Sequence, residues 1–157
     1  MDVGGYTASM SRLIAGAAIG KPFAEPQAIK GCAQIGAETG VDEYAVATLK
    51  FEGGILAQLA CGIKLQLENT VRIWGTEGSL VVPVPWHPSF RGNFSKLILF
   101  KEGVPEEILI ECDQDLYTIE ADHVAEHLAE RQSPAMSWED TLGNMRVLDI
   151  WQASCTA

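Results

Sequence analysis

The chain has 157 residues, of which 47% are hydrophobic and 20% are charged, so it is long enough to bury the core of a globular domain. Lysines and arginines number 11 and aspartates and glutamates 21, and the resulting net charge of −10 argues against a nucleic-acid partner. Because the sequence has no run of 18 apolar residues, no export signal and no C-x-x-C pair, we expect a reduced, cytoplasmic protein that does not cross a membrane.

The first predicted element is an amphipathic helix over Gly4–Ala18. Its apolar residues recur at intervals of three and four, and the segment 20–22, GKP, ends it because proline does not continue a helix. A short strand is expected over residues 27–35, although Gly31 weakens the pattern.

Three hairpins are predicted in the middle of the chain, since apolar and polar residues alternate on both sides of each turn. The predicted strand pairs are 45–51 with 55–63, 70–74 with 79–82, and KLILF with EEILIEC. The turn GTEG at 75–78 lacks the context of a dinucleotide or phosphate-binding loop, so we interpret it as a turn alone.

Two helices are expected to close the chain, at residues 116–131 and 138–153. Ser137 is a candidate N-cap for the second, with Glu139 and Asp140 in its first turn. Hairpins between helices, rather than alternating β-α-β units, predict the α+β class. We therefore expect one domain over residues 1–157, with an open, predominantly antiparallel sheet and helices packed on one face.

The segment HVAEH, His123 to His127, matches the H-x-x-E-H pattern of inverted zinc proteases. Such a site needs a third ligand and a second group of helices, and only one predicted helix follows. We interpret the segment as a solvated helix face, and we predict no metal. The alternative, a Zn²⁺ or Ni²⁺ site, rests on the i, i+4 spacing of the two histidines.

A proline-rich loop, VVPVPWHPSF, contains Trp86 and His87. It can be a rigid crossover that protects a sheet edge, or one wall of a small-molecule pocket in which Trp86 stacks and His87 hydrogen-bonds. The residue types alone leave both interpretations open.

The chain begins MDVGGYTASM, with Asp2 and Tyr6 spaced to share one helix face. The glycine pair between them would allow another chain or a ligand to approach the backbone closely. A tyrosine can act as a general acid or base where its phenolate is stabilised. Spacing alone, however, favours a buried, structural Tyr6 at a frayed terminus.

Four segments in order resemble the C-terminal domain of the Gfo/Idh/MocA oxidoreductase family. MDVGGYTASMSRLIAG is similar to its D-x-G-x-Y or D-x-G-x-H start, and DEYAVATLKFEGGILAQLACG to its hairpin. VRIWGTEGSLVVP resembles its I-x-G-T-x-G turn, and YTIEADHVAEHLAER with MSWEDTLGNMRVLDIWQAS its closing helices. The resemblance covers nearly the whole chain.

This resemblance implies that Tyr6 is the catalytic residue and that Asp2 orients the phenol or the substrate. It points to the tyrosine-containing branch, which is similar to xylose and dihydrodiol dehydrogenases, and to Trp86 and His87 as substrate-binding residues. It implies a preceding dinucleotide-binding domain, NAD or NADP in the complete enzyme and none bound by this chain alone. It also implies a sugar-like or cyclic diol substrate and a homodimer that forms through the sheet.

A second hypothesis is a stand-alone binding domain that associates through its sheet and performs no redox chemistry. The two hypotheses differ in whether a dinucleotide-binding domain is encoded directly upstream.

Overall fold

The computed structural model describes residues 1–88 and 93–155. In chain order the elements are α1 (Gly4–Ala18), β1 (Ala28–Ile35), β2 (Asp42–Lys50), β3 (Leu56–Gly62), β4 (Val71–Trp74), β5 (Ser79–Val82), β6 (Asn93–Lys101), β7 (Val104–Cys112), α2 (Leu116–Glu126) and α3 (Trp138–Ser154). The chain forms two compact units, Met1–Leu67 with Pro134–Ala157, and Glu68–Ser133. Among the described helices, none has the length and apolar character that crossing a bilayer requires.

The first unit is a three-stranded antiparallel sheet covered by two helices. The strand order is β1-β2-β3, and α1 and α3 pack against the sheet and against each other. Side chains alternate between the two faces of the sheet, so that the odd-numbered residues of β2 face the helices. The core contains Ala8, Ala15, Ile29, Ala45, Ala47, Leu49, Phe51, Leu59, Cys61, Val147 and Trp151.

The turn between β2 and β3 requires glycine. Gly53 and Gly54 have φ angles of 75° and 77°, in the left-handed region that side chains with a Cβ rarely adopt. The sequence EGG therefore ends β2 and reverses the chain, as its position between two alternating segments predicts.

One charged side chain lies in the core of this unit. Arg12 is fully buried, and its guanidinium forms ion pairs with Glu25 at 2.7 Å and with Asp140. It also donates to the Asp140 carbonyl oxygen at 3.0 Å and lies 4.8 Å from the centre of the Phe23 ring. These partners compensate the desolvation of the charge and connect α1 to α3.

The second unit contains a four-stranded antiparallel sheet, in the order β4-β5-β6-β7, and α2. The turn GTEG joins β4 to β5, and the Gly75 amide donates to the Gly78 carbonyl oxygen at 2.9 Å. This segment is therefore a hairpin turn, as predicted.

Helix α2 is shorter than the sequence pattern predicts, because it ends at Glu126 and not at Arg131. His127 leaves the helical conformation, with φ −107° and ψ 15°, and its ring nitrogen Nδ1 lies 2.9 Å from the His123 carbonyl oxygen. The His127 backbone N–H donates to the same carbonyl oxygen at 3.3 Å, so the ring and the backbone amide share one acceptor at the end of α2. A short 3-10 turn, Leu128–Glu130, follows.

The predicted α+β class with antiparallel strands is confirmed, and the strands are divided between two sheets. Ser137 is the N-cap of α3, and its hydroxyl accepts a hydrogen bond from the Asp140 amide at 3.1 Å. All four cysteines are free thiols, as their spacing predicts.

Candidate functional site

Tyr6 lies in the first turn of α1, and its side chain is 59% exposed. The opposite face of the helix is held in place, since Ala8, Arg12 and Ala15 are buried. An exposed phenol on an anchored helix can meet a ligand without rearrangement of the core. The structure therefore contradicts the buried tyrosine that spacing alone favours, and the reason is that α1 turns its small residues toward the sheet.

Gly4, the first glycine of the pair before Tyr6, is buried. A Cβ on Gly4 would lie 3.4 Å from both the Cys61 sulfur and the Trp151 ring, so this backbone approaches the core closely. The prediction that the glycines admit another chain or a ligand is therefore wrong for Gly4. Gly4 is instead buried where the first turn of α1 packs against β3 and α3.

Asn144 fixes the first turn of α1, and the sequence analysis did not identify it. Its Nδ2 donates to the Gly5 carbonyl oxygen at 3.3 Å. The residue shares a side of α3 with the buried Val147, Leu148 and Trp151. The sequence does contain a signal for this contact, because a polar residue on an otherwise apolar helix face is expected to form a hydrogen bond.

Asp2 immediately precedes α1 and is exposed. Its carbonyl oxygen accepts a hydrogen bond from the Gly5 amide at 3.1 Å, so the backbone here is ordered by the start of the helix. Asp2 thus lies before α1 and Tyr6 in its first turn, and both residues are exposed; their sharing of one helix face stays a prediction.

Trp86 and His87 belong to the second unit. They follow β5, and the Thr70 hydroxyl contacts the Pro83 carbonyl oxygen at 3.5 Å at the start of this segment. Trp86 is half-buried and His87 is exposed, whereas Ser89 and Phe90 of the same loop lie outside the described residues. The assignment of Trp86 and His87 to substrate binding stays a prediction.

The outer face of the first sheet, which the helices do not cover, contains a shallow depression of about 490 Å³. Its polar lining includes Lys30, Thr48 and Gln58, and its apolar lining includes Val46 and Ala60. The depression and α1 lie on opposite sides of the sheet, so Tyr6 does not line it.

The described residues do not match a nucleotide-binding fold. A dinucleotide cradle requires parallel β-α-β units with a glycine-rich loop at a helix N-terminus. Every strand pair within the described residues, 1–88 and 93–155, is antiparallel.

The family model of the GFO/IDH/MocA C-terminal domain matches residues 1–81, more than half of the chain. The chain belongs to this family. The matched region includes α1 with Asp2 and Tyr6, and the whole three-stranded sheet, so the resemblance noted in the sequence is confirmed.

Two relatives support the family assignment. The trans-1,2-dihydrobenzene-1,2-diol dehydrogenase of Danio rerio is 47% identical over 53 residues, which are 33% of this chain and 16% of the relative. An uncharacterized oxidoreductase of Rhizobium meliloti is 26% identical over 160 residues, which cover 98% of this chain and 45% of the relative. The chain thus spans less than half the length of either relative.

Solved structures share the fold of the chain. KijD10, a 3-ketoreductase from Actinomadura kijaniata solved in complex with TDP-benzene and NADP, matches 98% of this chain and 46% of its own chain, with a TM-score of 0.82 and 18% identity. An oxidoreductase from Bacillus subtilis matches 99% of this chain and 48% of its own, with a TM-score of 0.67 and 16% identity.

Proposed function

We propose that this chain is the substrate-binding and dimerisation domain of an NAD(P)-dependent oxidoreductase that acts on a sugar or a cyclic diol. In this proposal Tyr6 exchanges a proton with the substrate, and Asp2 orients the phenol or the substrate hydroxyl. A dinucleotide-binding domain elsewhere in the protein holds the nicotinamide cofactor. The observation that carries the proposal is the exposed phenol of Tyr6 on the anchored first turn of α1.

The relatives support the proposed substrate class. A relative with high local identity acts on a cyclic diol by its name, and a structural neighbour is a 3-ketoreductase that was solved with NADP. Both activities interconvert a secondary alcohol and a ketone. This supports a reaction in which a hydroxyl or carbonyl oxygen of the substrate must gain or lose a proton.

Proton exchange is the part of this reaction that the chain's own residues can perform. The Tyr6 Oη–H can donate to a carbonyl oxygen in reduction, and the phenolate can accept the hydroxyl proton in oxidation. The side chain of Asp2 is a hydrogen-bond acceptor at the same end of α1, so it can hold a neighbouring substrate hydroxyl in place.

The outer face of the first sheet is the surface that we propose for the dimer. Tyr44 is 37% exposed, Val46 52% and Leu56 68%, all on strands whose other face is packed against helices. Tyr44 and Val46 are neighbours on the uncovered face of β2, and exposed apolar side chains of this kind support a surface that a second copy can cover.

Kinetics of a Tyr6→Phe variant tests the catalytic role. The chain is fused to the C-terminus of the dinucleotide-binding domain of a family member. The oxidation of trans-1,2-dihydrobenzene-1,2-diol by this fusion is then followed with NADP and with NAD. We expect kcat to fall by about 10²- to 10⁴-fold, the range for the loss of a general acid or base. Tyr117→Phe is the matched control, because Tyr117 is 58% exposed and lies in the other unit.

Two results contradict the proposal. Full turnover by the Tyr6→Phe fusion would show that Tyr6 does not transfer the proton. Nicotinamide cofactor binding at micromolar concentration by this chain alone, measured by titration calorimetry, contradicts the assignment of the cofactor to another domain.

A further inference from the structure

Two histidines and one glutamate meet at the end of α2, in the second unit. His123, Glu126 and His127 each offer one ligand atom, and these atoms all lie within 4.8 Å of one another. The centres of the two imidazole rings are 4.3 Å apart. From this cluster, which lies outside the proposed catalytic site, we propose a binding site for a divalent transition metal ion, with Zn²⁺ as the ion that fits best.

The surroundings of His127 indicate which of its ring nitrogens carries the hydrogen. Its Nδ1 lies 2.9 Å from the His123 carbonyl oxygen, and since a carbonyl can only accept, Nδ1 carries the hydrogen. The lone pair of neutral His127 is therefore on Nε2. Histidines that bind metals commonly donate their second ring nitrogen to a backbone carbonyl in this way, which fixes the ring and raises its basicity.

His123 is held by a different partner. Its Nε2 lies 2.6 Å from the Ser133 hydroxyl oxygen, beyond the 3-10 turn that follows α2. In the tautomer that carries its hydrogen on Nε2, this nitrogen donates to Ser133 and the Nδ1 lone pair is available to a metal ion. Both imidazoles thus have an outer hydrogen-bond partner, an arrangement that solvated histidines on a regular helix do not need.

The three ligand atoms fit tetrahedral coordination of a metal ion once they move slightly closer together. Zn²⁺ bonds to nitrogen and carboxylate oxygen are about 2.0–2.2 Å long, so ligand atoms around the ion are separated by about 3.4 Å. Glu126 is exposed and can rotate toward the imidazoles, which are half-buried. Three protein ligands with a water molecule in the fourth position form a common zinc arrangement.

The surrounding charge favours a cation. The sequence of α2, LYTIEADHVAE, carries three acidic residues and no lysine or arginine. The cluster also lies at the C-terminal end of the helix, where the free carbonyl groups carry partial negative charge. The ion therefore holds the last turn of α2 together, and the hydrogen bond from His123 to Ser133 connects this turn to the segment after the 3-10 turn.

Titration of the full chain with ZnCl₂, observed through the imidazole resonances in NMR spectra, tests the site. We expect the resonances of His123 and His127 to shift together, and those of His87, the third histidine, to stay unchanged. His123→Gln and His127→Gln should each weaken binding at least about tenfold, and Ser133→Ala about tenfold, the scale for loss of an outer hydrogen-bond partner. His87→Gln is the matched control and should bind as the parent chain does.

The cysteines provide a competing set of ligands, which Co²⁺ distinguishes by its absorption spectrum. We expect no thiolate-to-metal charge-transfer band in the Co²⁺ complex. The proposal is overturned if that band appears, if the two histidine resonances do not respond to Zn²⁺, or if the His123→Gln/His127→Gln double variant binds Zn²⁺ with unchanged affinity. The cluster is partly exposed, so circular dichroism is expected to show an intact fold in every variant.

Discussion

The indole ring of Trp151 lies directly on Gly31, so that a Cβ on this glycine would be 2.4 Å from the ring carbon Cδ1. Trp151 is fully buried, and its Nε1–H donates to the Val46 carbonyl oxygen at 3.1 Å. The glycine that weakens the strand pattern of β1 is therefore the place where α3 rests on the sheet. A side chain there would separate the helix from the strands.

Gly31→Ala should lower the free energy of unfolding by about 1–3 kcal/mol, the usual cost of overpacking a core. The ring must move, and the hydrogen bond to Val46 is stretched. Urea unfolding followed by circular dichroism measures the change. Gly5→Ala is the control, since the nearest atoms to an added Cβ are 3.9 Å away, and it should not destabilise the chain. Equal stability of Gly31→Ala and the parent chain would show that Trp151 is placed elsewhere.

Arg12→Met should be more destabilising than Lys21→Met, by about 1.5–3 kcal/mol, the cost of losing a hydrogen bond to a charged group. It keeps the side-chain volume but leaves the Asp140 and Glu25 carboxylates without their buried partner. Lys21→Met removes an exposed ion pair, to Glu52 at 3.1 Å, and should cost less than about 1 kcal/mol. Chemical denaturation of both variants gives the comparison, and similar losses for the two would contradict a structural role of Arg12.

Local sequence patterns were sufficient for most of the elements. The predicted and observed bounds of α1 are the same, because apolar spacing and the GKP segment define both ends. The hairpin of β2 and β3 follows from alternation around EGG, and the Ser137 cap from the acids that follow it. In each case the deciding residues are within a few positions of the element that they define.

Interactions between distant residues could not be predicted in this way. Arg12 is a core residue only because Glu25 and Asp140 lie beside it, 13 and 128 positions away in the sequence. Local signals do not mark the end of α2 at Glu126 either, since no glycine or proline lies between residues 126 and 131. The exposure of Tyr6 likewise depends on which face of α1 meets the sheet, and helical spacing does not determine that choice.

Stability should decrease at alkaline pH because of Cys61. Burial, with a smaller contribution from nearby Asp42, raises the pKa of this thiol above its usual value. The folded chain therefore holds the proton to a higher pH than the unfolded chain does. The stabilisation is complete below the ordinary thiol pKa of about 8.5 and is lost as the pH rises through the raised pKa of the folded state.

The free energy of unfolding of the parent chain, measured from about pH 7 to pH 10, should fall across the upper part of this range. Cys61→Ala should flatten the slope, whatever its effect on stability at neutral pH. Cys32→Ala, which replaces an exposed thiol, is the control for the loss of a cysteine. A slope that is identical in the parent chain and in Cys61→Ala would contradict this assignment.

Val46→Glu should dissociate the proposed dimer. Val46 is 52% exposed and lies in the middle strand, on the face that the helices leave uncovered. A carboxylate there would have to be desolvated in both copies at once, without a cationic partner supplied by the substitution. Sedimentation velocity at a concentration of about 100 μM, where weak interfaces still associate, should show a dimer for the parent chain and a monomer for the variant.

Leu13→Glu is the control for the dimer, since Leu13 has a similar exposure of 53% but lies on α1, on the other side of the sheet. It should leave the dimer intact. A parent chain that sediments as a monomer at this concentration would exclude the proposed interface.

Tyr6→Phe should leave the fold almost unchanged. The ring is 59% exposed, so its hydroxyl contributes about 1 kcal/mol or less to the free energy of unfolding. Trp151→Phe, by contrast, replaces the buried indole with a smaller ring and removes the Nε1–H hydrogen bond, so it should cost several times as much. Thermal unfolding of the two variants separates the roles of these aromatic residues. A Tyr6→Phe variant that melts several degrees lower and keeps full turnover in the fusion would make Tyr6 a structural residue.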